Sequence, residues 1–363
     1  MLVVLRQARS RTDIAGKAAI ASARFKHPPP LDLTCPNSNY YRATMAPSRV
    51  SPPPASSDVE GLTTDQLSFF HENGYLLIPD YLSQQQCDSL LTKTRTMLSE
   101  FSLADHPMTK FTTGDSEEHV GDAYFLESGD KVRFFFEEDA FDKSTGHLTK
   151  PKERAINKIG HNLHGLIPEF GAISHQGKIG RRNAAIARDL SYTDPRLLQS
   201  MVICKQPEIG GAVPPHQDNT FLYTDRPSAV GFWIALEDAT VSNGCLSFAP
   251  GSHRRAPVKE RFVRKSDDSG TTFDKVEGER RWPRDFEHED SDEEEEYVLG
   301  EVEAGTLVLI HGNILHKSEK NLSQKGRIIY TFHCIEGDEH YDERNWLQIP
   351  GGPAAFTKLD GLA

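Results

Sequence analysis

The sequence predicts a mainly β protein with helical additions, in which helices pack around an antiparallel barrel. From about residue 197 onwards, apolar segments of strand length alternate with turn residues. The first half instead carries helix-start signals and apolar residues at helical spacing. Helices followed by a run of antiparallel strands are typical of a barrel with helices packed on its outside.

Composition limits the classes of function. The chain has 363 residues, of which 37% are hydrophobic and 26% charged, with a formal net charge of −12. The negative charge argues against nucleic-acid binding, and no apolar run approaches the ~18 residues of a membrane span. Five scattered cysteines without a Cys-x-x-Cys pair indicate a reducing compartment. We expect a small-molecule substrate and leave the oligomeric state open.

Residues 1–61 are predicted to be a disordered leader. Residues 1–30 contain six Lys or Arg and one acidic residue, a composition typical of a mitochondrial transit peptide. A non-native leader is an equally weighted alternative, because Met45 begins a second plausible start. The Pro- and Ser-rich sequence that follows offers too little apolar surface to offset the loss of chain entropy on folding.

The other end of the chain, residues 351–363, is predicted to be a tail. It ends Asp360-Gly361-Leu362-Ala363, which differs from the Ser-Lys-Leu signal of peroxisomal proteins. We therefore expect the cytoplasm rather than the peroxisome, or the mitochondrion if the leader is a genuine transit peptide.

Order is predicted to start near Thr63. Thr63 and Gln66 form a capping-box pattern, Gly74 ends the helix, and residues 75–79 are a short buried strand. Ser83 begins a second helix, whose apolar residues recur at helical spacing.

The middle of the chain predicts a hairpin and then helices. Two aromatic-rich runs flank a Ser-Gly-Asp turn within residues 124–136, which indicates a β-hairpin. Residues 150–200 are predicted to be helical, because Ile156, Ile159 and Leu163 fall on one helical face. Lys158 would lie beside that face.

The second half predicts a series of strands and one interruption. Asn243-Gly244 is a hairpin signal between two of the strands. The strands are predicted at 200–205, 229–236, 245–248, 297–298, 306–310 and 327–334. Residues 258–296 interrupt them with a long polar insertion, predicted to be a structureless lid or disordered loop. Its last part, residues 285–296, contains nine Asp or Glu.

A pair of potential metal ligands lies in Pro214-Pro215-His216-Gln217-Asp218. Residues two apart on an extended strand project from the same face, so His216 and Asp218 could reach one metal ion. A distant second histidine would complete the 2-His-1-carboxylate set of non-haem Fe(II) oxygenases. His316 is the candidate, although His311 also lies on a predicted strand in that segment. His-x-Asp alone is a weak motif, because such tripeptides often occur by chance. The surrounding sequence segments decide whether it marks a metal site.

Three protein ligands leave three coordination positions on the iron open. O₂ is inert until it is reduced, so an electron-donating co-substrate must also bind there. 2-Oxoglutarate can fill two positions through its 1-carboxylate and 2-keto oxygen, and its distal carboxylate then needs a cation. Arg327, 11 residues after His316 on a predicted buried strand, suits that role because its guanidinium pairs bidentately with carboxylates. If Arg327 is buried, its charge needs an anion as partner. The alternative is that Arg327 lies on the surface at the end of the strand, where water would solvate the charge.

Several short segments together resemble the phytanoyl-CoA dioxygenase family. The resemblance covers roughly residues 62–350 except for the acidic insertion at 258–296. The segments are His216-Gln217-Asp218, Asn243-Gly244-Cys245-Leu246, Pro250-Gly251-Ser252-His253, and Gly312 through Ser318 with Asn321 and Arg327. Asn157-Lys158-Ile159-Gly160-His161, Ser200-Met201 and Phe221-Leu222-Tyr223-Thr224 extend it.

The resemblance implies a double-stranded β-helix, which is a jelly-roll or cupin-like barrel, and assigns roles to named residues. It implies that His216, Asp218 and His316 bind Fe(II) and that His311 lies outside the ligand set. It further implies that Lys158, Met201, Trp233 and Arg327 line the 2-oxoglutarate pocket, with the Ser318 hydroxyl beside the distal carboxylate. Without the resemblance, Met201 and Trp233 would be interpreted as ordinary core residues.

These observations predict an Fe(II)- and 2-oxoglutarate-dependent dioxygenase that hydroxylates an unactivated C–H bond of a small-molecule or acyl substrate, with release of succinate and CO₂. One alternative is a halogenase, which would need a small residue in place of Asp218. A second alternative is a catalytically weak module on the same barrel that senses 2-oxoglutarate or holds a partner.

Overall fold

The computed structural model describes residues 60–111, 122–267, 270–276 and 295–360. Nearly all of the predicted leader, most of the acidic run at 285–296 and the last three residues of the chain lie outside these ranges. In the described part of the chain, no helix is both long enough and apolar enough to span a bilayer.

Short helices precede and separate the strands. They are α1 (Thr64–Asn73), α2 (Gln84–Glu100), α3 (Ala123–Leu126), α4 (Leu163–Leu166), α5 (Pro168–Ser174), α6 (Gly177–Asp189), α7 (Asp218–Phe221) and α8 (Ser252–Arg255). The predicted capping box of Thr63 with Gln66 is confirmed, and Ser83, the predicted start of the second helix, caps α2 through another capping box with Gln86. Gly74 ends α1 at φ 81°, a left-handed conformation that favours glycine.

Most of the strands lie in the second half of the chain. They are β1 (Tyr75–Ile78), β2 (Lys110–Phe111), β3 (Val132–Glu137), β4 (Ile156–His161), β5 (Pro195–Lys205), β6 (Val213–His216), β7 (Val230–Ala235), β8 (Leu246–Phe248), β9 (Glu260–Arg264), β10 (Thr271–Lys275), β11 (Val298–Gly300), β12 (Leu307–His311), β13 (His316–Ser318), β14 (Arg327–Glu336) and β15 (Thr357–Lys358). The strands predicted after residue 197 are confirmed.

Two sheets make up the predicted double-stranded β-helix, or jelly roll. The larger sheet has the order β1-β12-β7-β14-β5-β4-β3-β2, with β15 added on β5, and the smaller sheet has the order β11-β8-β13-β6. Within the described residues, the ladders of the two sheets remain separate. The fold is therefore an open pair of sheets rather than a closed barrel.

Successive side chains of β7 alternate between two core clusters, so both faces of the larger sheet are buried. Phe232 and Ile234 belong to the main core cluster together with helix residues such as Phe170. Trp233 and Ala235 belong to a second cluster with residues of the smaller sheet. One face of the larger sheet thus packs against the helices, and the other lines the space between the sheets.

Residues 156–161, predicted to be helical, instead form strand β4. The strand pairs with β3 on one side and β5 on the other, and Ile156 and Ile159 are both fully buried. A strand covered on both faces has a nearly continuous run of buried residues, so its pattern resembles that of a buried helix. The helical prediction for this segment is therefore wrong, although α4 to α6 confirm it for residues 163–189.

Three further predictions require correction. The hairpin predicted at Asn243-Gly244 is wrong, because the strands on either side of it, β7 and β8, lie in different sheets. The hairpin at 124–136 is wrong, because its first half is the short helix α3 and its second half, β3, pairs with β4. Part of the insertion at 258–296 is also ordered, since β9 and β10 form an antiparallel hairpin. Phe262 of β9 is buried, with its ring centroid 5.6 Å from that of Phe221. The prediction of a structureless loop is therefore wrong for this part.

The face of the larger sheet that meets the helices should contribute most to stability. Phe232 is fully buried and stacks on Phe332 at a centroid distance of 4.7 Å. We expect Phe232→Ala to lower the free energy of unfolding by about 3–5 kcal/mol, since it removes apolar contacts and leaves a cavity. Urea unfolding would measure this change. Leu322→Ala, at a residue 73% exposed, is the control and should change little. Equal losses in both variants would contradict this assignment of the core.

Candidate metal centre

Three side chains from the two predicted ligand segments meet between the sheets. Among the described residues, His216, Asp218 and His316 form one group whose potential ligand atoms all lie within 4.8 Å of one another. The Nε2 atoms of both histidines are 3.7 Å from Oδ1 of Asp218. His216 and His316 are direct neighbours across the β6–β13 ladder, which fixes their separation.

The local backbone differs from the single strand predicted for His216 and Asp218. His216 is the last residue of β6, and Asp218 is the first residue of α7. Gln217 between them remains extended and donates its side-chain amide to the backbone carbonyls of Ala256 and Asn313. The two side chains still converge, because only the residue after the extended Gln217 turns into the helix.

Hydrogen bonds to the backbone set the tautomers of both histidines. Nδ1 of His216 lies 2.9 Å from the carbonyl oxygen of Pro214, and Nδ1 of His316 lies 3.1 Å from that of Ile314. A carbonyl only accepts, so each Nδ1 carries the hydrogen and each Nε2 presents a lone pair. Both lone pairs belong to the atoms that face Asp218, as a shared metal ion requires.

The ionisation states also favour metal binding. Desolvation in the site lowers the pKa of His216 to about 4, and repulsion from His316 adds to this effect. Burial alone would raise the pKa of Asp218, but the neighbouring His316 and His333 outweigh it and lower that pKa. Neutral imidazoles and an ionised carboxylate are the forms that bind a cation.

A third histidine, His333 on β14, holds the other oxygen of the carboxylate. Its Nε2 lies 3.2 Å from Oδ2 of Asp218, and its Nδ1 lies 3.4 Å from the Gln199 amide nitrogen. Oδ2 can only accept, so Nε2 must donate and Nδ1 must accept. Gly231 on β7 borders this contact, since a Cβ atom there would lie at van der Waals distance from both, 3.5 Å from Oδ2 and 3.4 Å from Nε2.

His311, the alternative ligand, lies elsewhere. Its ring is 4.9 Å from that of His253 and 6.1 Å from that of Phe70, and its Nδ1 accepts a hydrogen bond from the backbone of Asn313. The structure thus places it beside α1, outside the group of three.

The residues predicted to line a co-substrate pocket share the inner face of the larger sheet. Met201, Thr331 and Trp233 are neighbours in register across β5, β14 and β7. Lys158 of β4 pairs with Ile203, two residues further along β5 from Met201, and is buried on the same face. Its position on a strand explains why its side chain points inward, which a solvent-facing helical lysine would not do.

Arg327 and Ser318 lie at one end of this face. Arg327 is buried at the start of β14, with its guanidinium carbon 5.4 Å from the Trp233 ring centroid. Ser318 is buried on β13 of the smaller sheet, two residues after His316. The space between the sheets therefore has a metal-ligand end and a cationic end, with Met201 and Trp233 between them.

Two charged residues near the cationic end were not predicted from the sequence. Lys205 on β5 is buried and donates a hydrogen bond of 2.7 Å to the hydroxyl of Ser318. Glu137 on β3 is also buried, and burial raises its pKa, while electrostatic attraction to Lys205 opposes that effect. Lys205 could have been found by its spacing of two and four residues from Ile203 and Met201. Glu137 has no comparable signal.

Comparison with known proteins decides the family. The sequence matches the family described as Phytanoyl-CoA dioxygenase (PhyH) over residues 70–329. The chain belongs to the phytanoyl-CoA dioxygenase family. It is 41% identical over 282 residues to the phytanoyl-CoA dioxygenase domain-containing protein 1 homolog of Caenorhabditis elegans, covering 77% of this chain and 93% of the relative. It is 42% identical over 294 residues to phytanoyl-CoA dioxygenase domain-containing protein 1 of Bos taurus, covering 79% and 95%.

A plant relative and two solved structures extend the comparison. The phytanoyl-CoA dioxygenase of Arabidopsis thaliana is 41% identical over 288 residues, covering 79% of this chain and 94% of that protein. EctD from S. alaskensis with bound Fe superposes with a TM-score of 0.51 at 18% identity, covering 83% and 88% of the two chains. The epimerase SnoN from nogalamycin biosynthesis gives 0.50 at 16% identity, covering 79% and 89%. At these identities the structures support the fold alone.

The contact between His333 and Asp218 predicts a role in metal affinity. His333→Phe keeps a ring but removes the Nε2–H donor, so we expect the affinity for Mn(II), a stand-in for Fe(II), to fall about tenfold or more. Isothermal titration calorimetry would measure it. His340→Phe removes an exposed histidine paired with Asp225 and should leave the affinity unchanged. Wild-type Mn(II) affinity in His333→Phe would show that Asp218 is positioned without this contact.

Proposed function

We propose that this protein is an Fe(II)- and 2-oxoglutarate-dependent dioxygenase that hydroxylates an unactivated C–H bond of a small-molecule or acyl substrate and releases succinate and CO₂. The observation that carries the proposal is the convergence of His216, Asp218 and His316, with both Nε2 lone pairs facing one carboxylate oxygen. Two imidazoles and a carboxylate are the ligand set of non-haem Fe(II) oxygenases.

The residues present fit such an ion. His216 and His316 would bind it through Nε2, and Asp218 through Oδ1, because Oδ2 is held by His333. A carboxylate that binds through one oxygen leaves more of the ion open to other ligands. Bound Fe(II) would supply the activation of O₂, which reacts with C–H bonds extremely slowly unaided.

The cationic end of the site fits the co-substrate. Arg327 would pair with the distal carboxylate of 2-oxoglutarate, and the Ser318 hydroxyl would donate to it. Met201 and Trp233, both buried, would exclude water from the chain between the two carboxylates. Lys158 lies within electrostatic range of Glu137 and Asp218, and burial lowers its pKa to about 7. It would add a positive charge on the wall between the two ends.

The names of relatives and the set of metal-binding side chains support the reaction class. The Arabidopsis relative carries the name phytanoyl-CoA dioxygenase, and EctD, which has a similar fold, was solved with bound Fe. Halogenation would need an open position where Asp218 stands, so hydroxylation fits the ligand set better. A module that only senses 2-oxoglutarate would bind it without turnover, and the release of succinate distinguishes that case.

The role of Asp218 predicts a loss of turnover without a loss of the fold. In Asp218→Ala, two histidines remain to hold metal weakly, but the charge that offsets the dication is absent. We expect succinate release from 2-oxoglutarate to disappear while the melting temperature stays close to the wild-type value, because removal of a desolvated charge offsets the loss of the hydrogen bond from His333. Both would be measured on one preparation, with the exposed-pair variant Asp225→Ala as control. Wild-type turnover in Asp218→Ala, or its unfolding, would contradict the ligand role.

The role of Arg327 predicts a selective loss of co-substrate affinity. Charge-assisted hydrogen bonds contribute roughly 1.5–3 kcal/mol each, so Arg327→Leu should raise the dissociation constant of 2-oxoglutarate at least about tenfold. Mn(II) affinity should stay within about twofold, because the guanidinium is not a ligand. Arg95→Leu removes an exposed arginine paired with Glu237 and is the matched control. An unchanged 2-oxoglutarate affinity would move the anchoring role to Lys158.

A further inference from the structure

Lys205 and Arg327 are direct neighbours across the β5–β14 ladder. Side chains at paired positions of an antiparallel ladder project from the same face of the sheet, here into the space between the sheets. Both are buried, with 3% exposure each. The cationic end of the site thus contains two adjacent basic side chains rather than one.

The hydrogen bonds of these cations go to neutral oxygens. Lys205 donates to the Ser318 hydroxyl at 2.7 Å, and Nη1 of Arg327 donates to the Gly244 carbonyl at 2.6 Å. Nε of Arg327 is buried and has no hydrogen-bond partner among the described residues. Gly244 is needed for this arrangement, because it has φ 79° and a Cβ there would lie 3.0 Å from Nζ of Lys205.

Two buried like charges destabilise a fold unless an anion joins them. Glu137 attracts Lys205, but one of its oxygens accepts from the backbone of Gly211 at 3.2 Å. Glu319, on the other side, also attracts Lys205. Neither carboxylate accepts a hydrogen bond from Nε of Arg327, so this buried donor is available to an anionic ligand.

The smaller sheet indicates how far this end lies from the metal ligands. Ser318 follows His316 by two residues on β13, and both side chains are buried. At about 3.3 Å per residue the two positions are roughly 6.6 Å apart, which suits a short dicarboxylate chain. An anion at Ser318 could therefore belong to a molecule whose other end reaches the group of three ligands.

We propose that Lys205 is a second cationic binding residue for the distal carboxylate of the co-substrate and makes the site select a 2-oxo dicarboxylate over a 2-oxo monocarboxylate. This inference rests on the proposed function. The ammonium of Lys205 has three donors and no acceptor, so its bond to Ser318 uses an oxygen lone pair. The hydroxyl hydrogen of Ser318 then remains to donate to the carboxylate, beside Lys205 and Arg327.

Ionisation of Lys205 gives the proposal a second consequence. Burial lowers its pKa to about 7, and Arg327 contributes, while Glu137, Glu319 and Cys245 oppose the shift. A bound carboxylate favours the charged amine and so raises that pKa. Binding of 2-oxoglutarate should therefore take up a proton above pH 7. The affinity for 2-oxoglutarate should weaken as the pH rises through the pKa that Lys205 has in the unliganded protein.

The test compares two probes on the full chain loaded with Mn(II). 2-Oxopentanoate has the five-carbon chain and the chelating end of 2-oxoglutarate but lacks the distal carboxylate. We expect Lys205→Met to raise the dissociation constant of 2-oxoglutarate about tenfold or more and to change that of 2-oxopentanoate less than about twofold. A general structural defect would weaken both probes equally, and that result would overturn the proposal.

Proton uptake provides the second measurement. Calorimetry at pH 8 in two buffers of different ionisation enthalpy reports protons bound together with 2-oxoglutarate. Lys205→Arg keeps the charge but does not titrate, so it should retain most of the affinity and lose the uptake. Lys93→Met, at a partly exposed lysine paired with Glu169 outside the site, should retain the uptake.

The remaining outcomes are distinguishable. If Lys205→Met does not fold, Lys205→Arg decides, and full proton uptake in that variant overturns the proposal. Wild-type protein that binds Mn(II) but neither probe would overturn the proposed function, and this inference with it. Wild-type discrimination between the probes in Lys205→Met would overturn this inference alone.

Discussion

The pairing of β5 with β14 is the constraint on which the rest of the structure depends. Tyr330 and Phe332 of β14 face the helices and lie in the main core, whereas Arg327, Thr331 and His333 alternate with them and face the smaller sheet. A slip of one residue would exchange the two sets, burying charges among apolar helices. The same packing that stabilises the fold therefore sets the position of the site.

Each of the two sheets contributes different side chains to that site. The smaller sheet supplies His216, His316 and Ser318 from adjacent strands, so the spacing of these side chains follows from one ladder. The larger sheet supplies basic residues at one end and His333 at the other. Asp218 lies between the sheets, since one of its oxygens faces His216 and His316 and the other faces His333 of β14.

The interior contains more charge than a stable core needs. Lys205 and Arg327 lie together with Glu137 nearby, and each is buried. Such groups are costly to desolvate, and apolar residues of similar size would often stabilise a fold better. The proposed anion and metal ion would supply the charges that these residues lack. The neutral surroundings of Met201 and Trp233 strengthen those interactions.

The sequence by itself determined the fold class, most strands after residue 197 and the group of His216, Asp218 and His316. These rest on local signals: turn residues, strand-length apolar runs and short motifs. Only the tertiary structure decided that residues 156–161 form a strand, because a segment buried on both faces loses the period that separates strand from helix. It also decided the partners of Asp218 and Arg327. His333 is 115 residues from Asp218 in sequence, and Lys205 meets Arg327 only through the register of two distant strands, which no local pattern encodes.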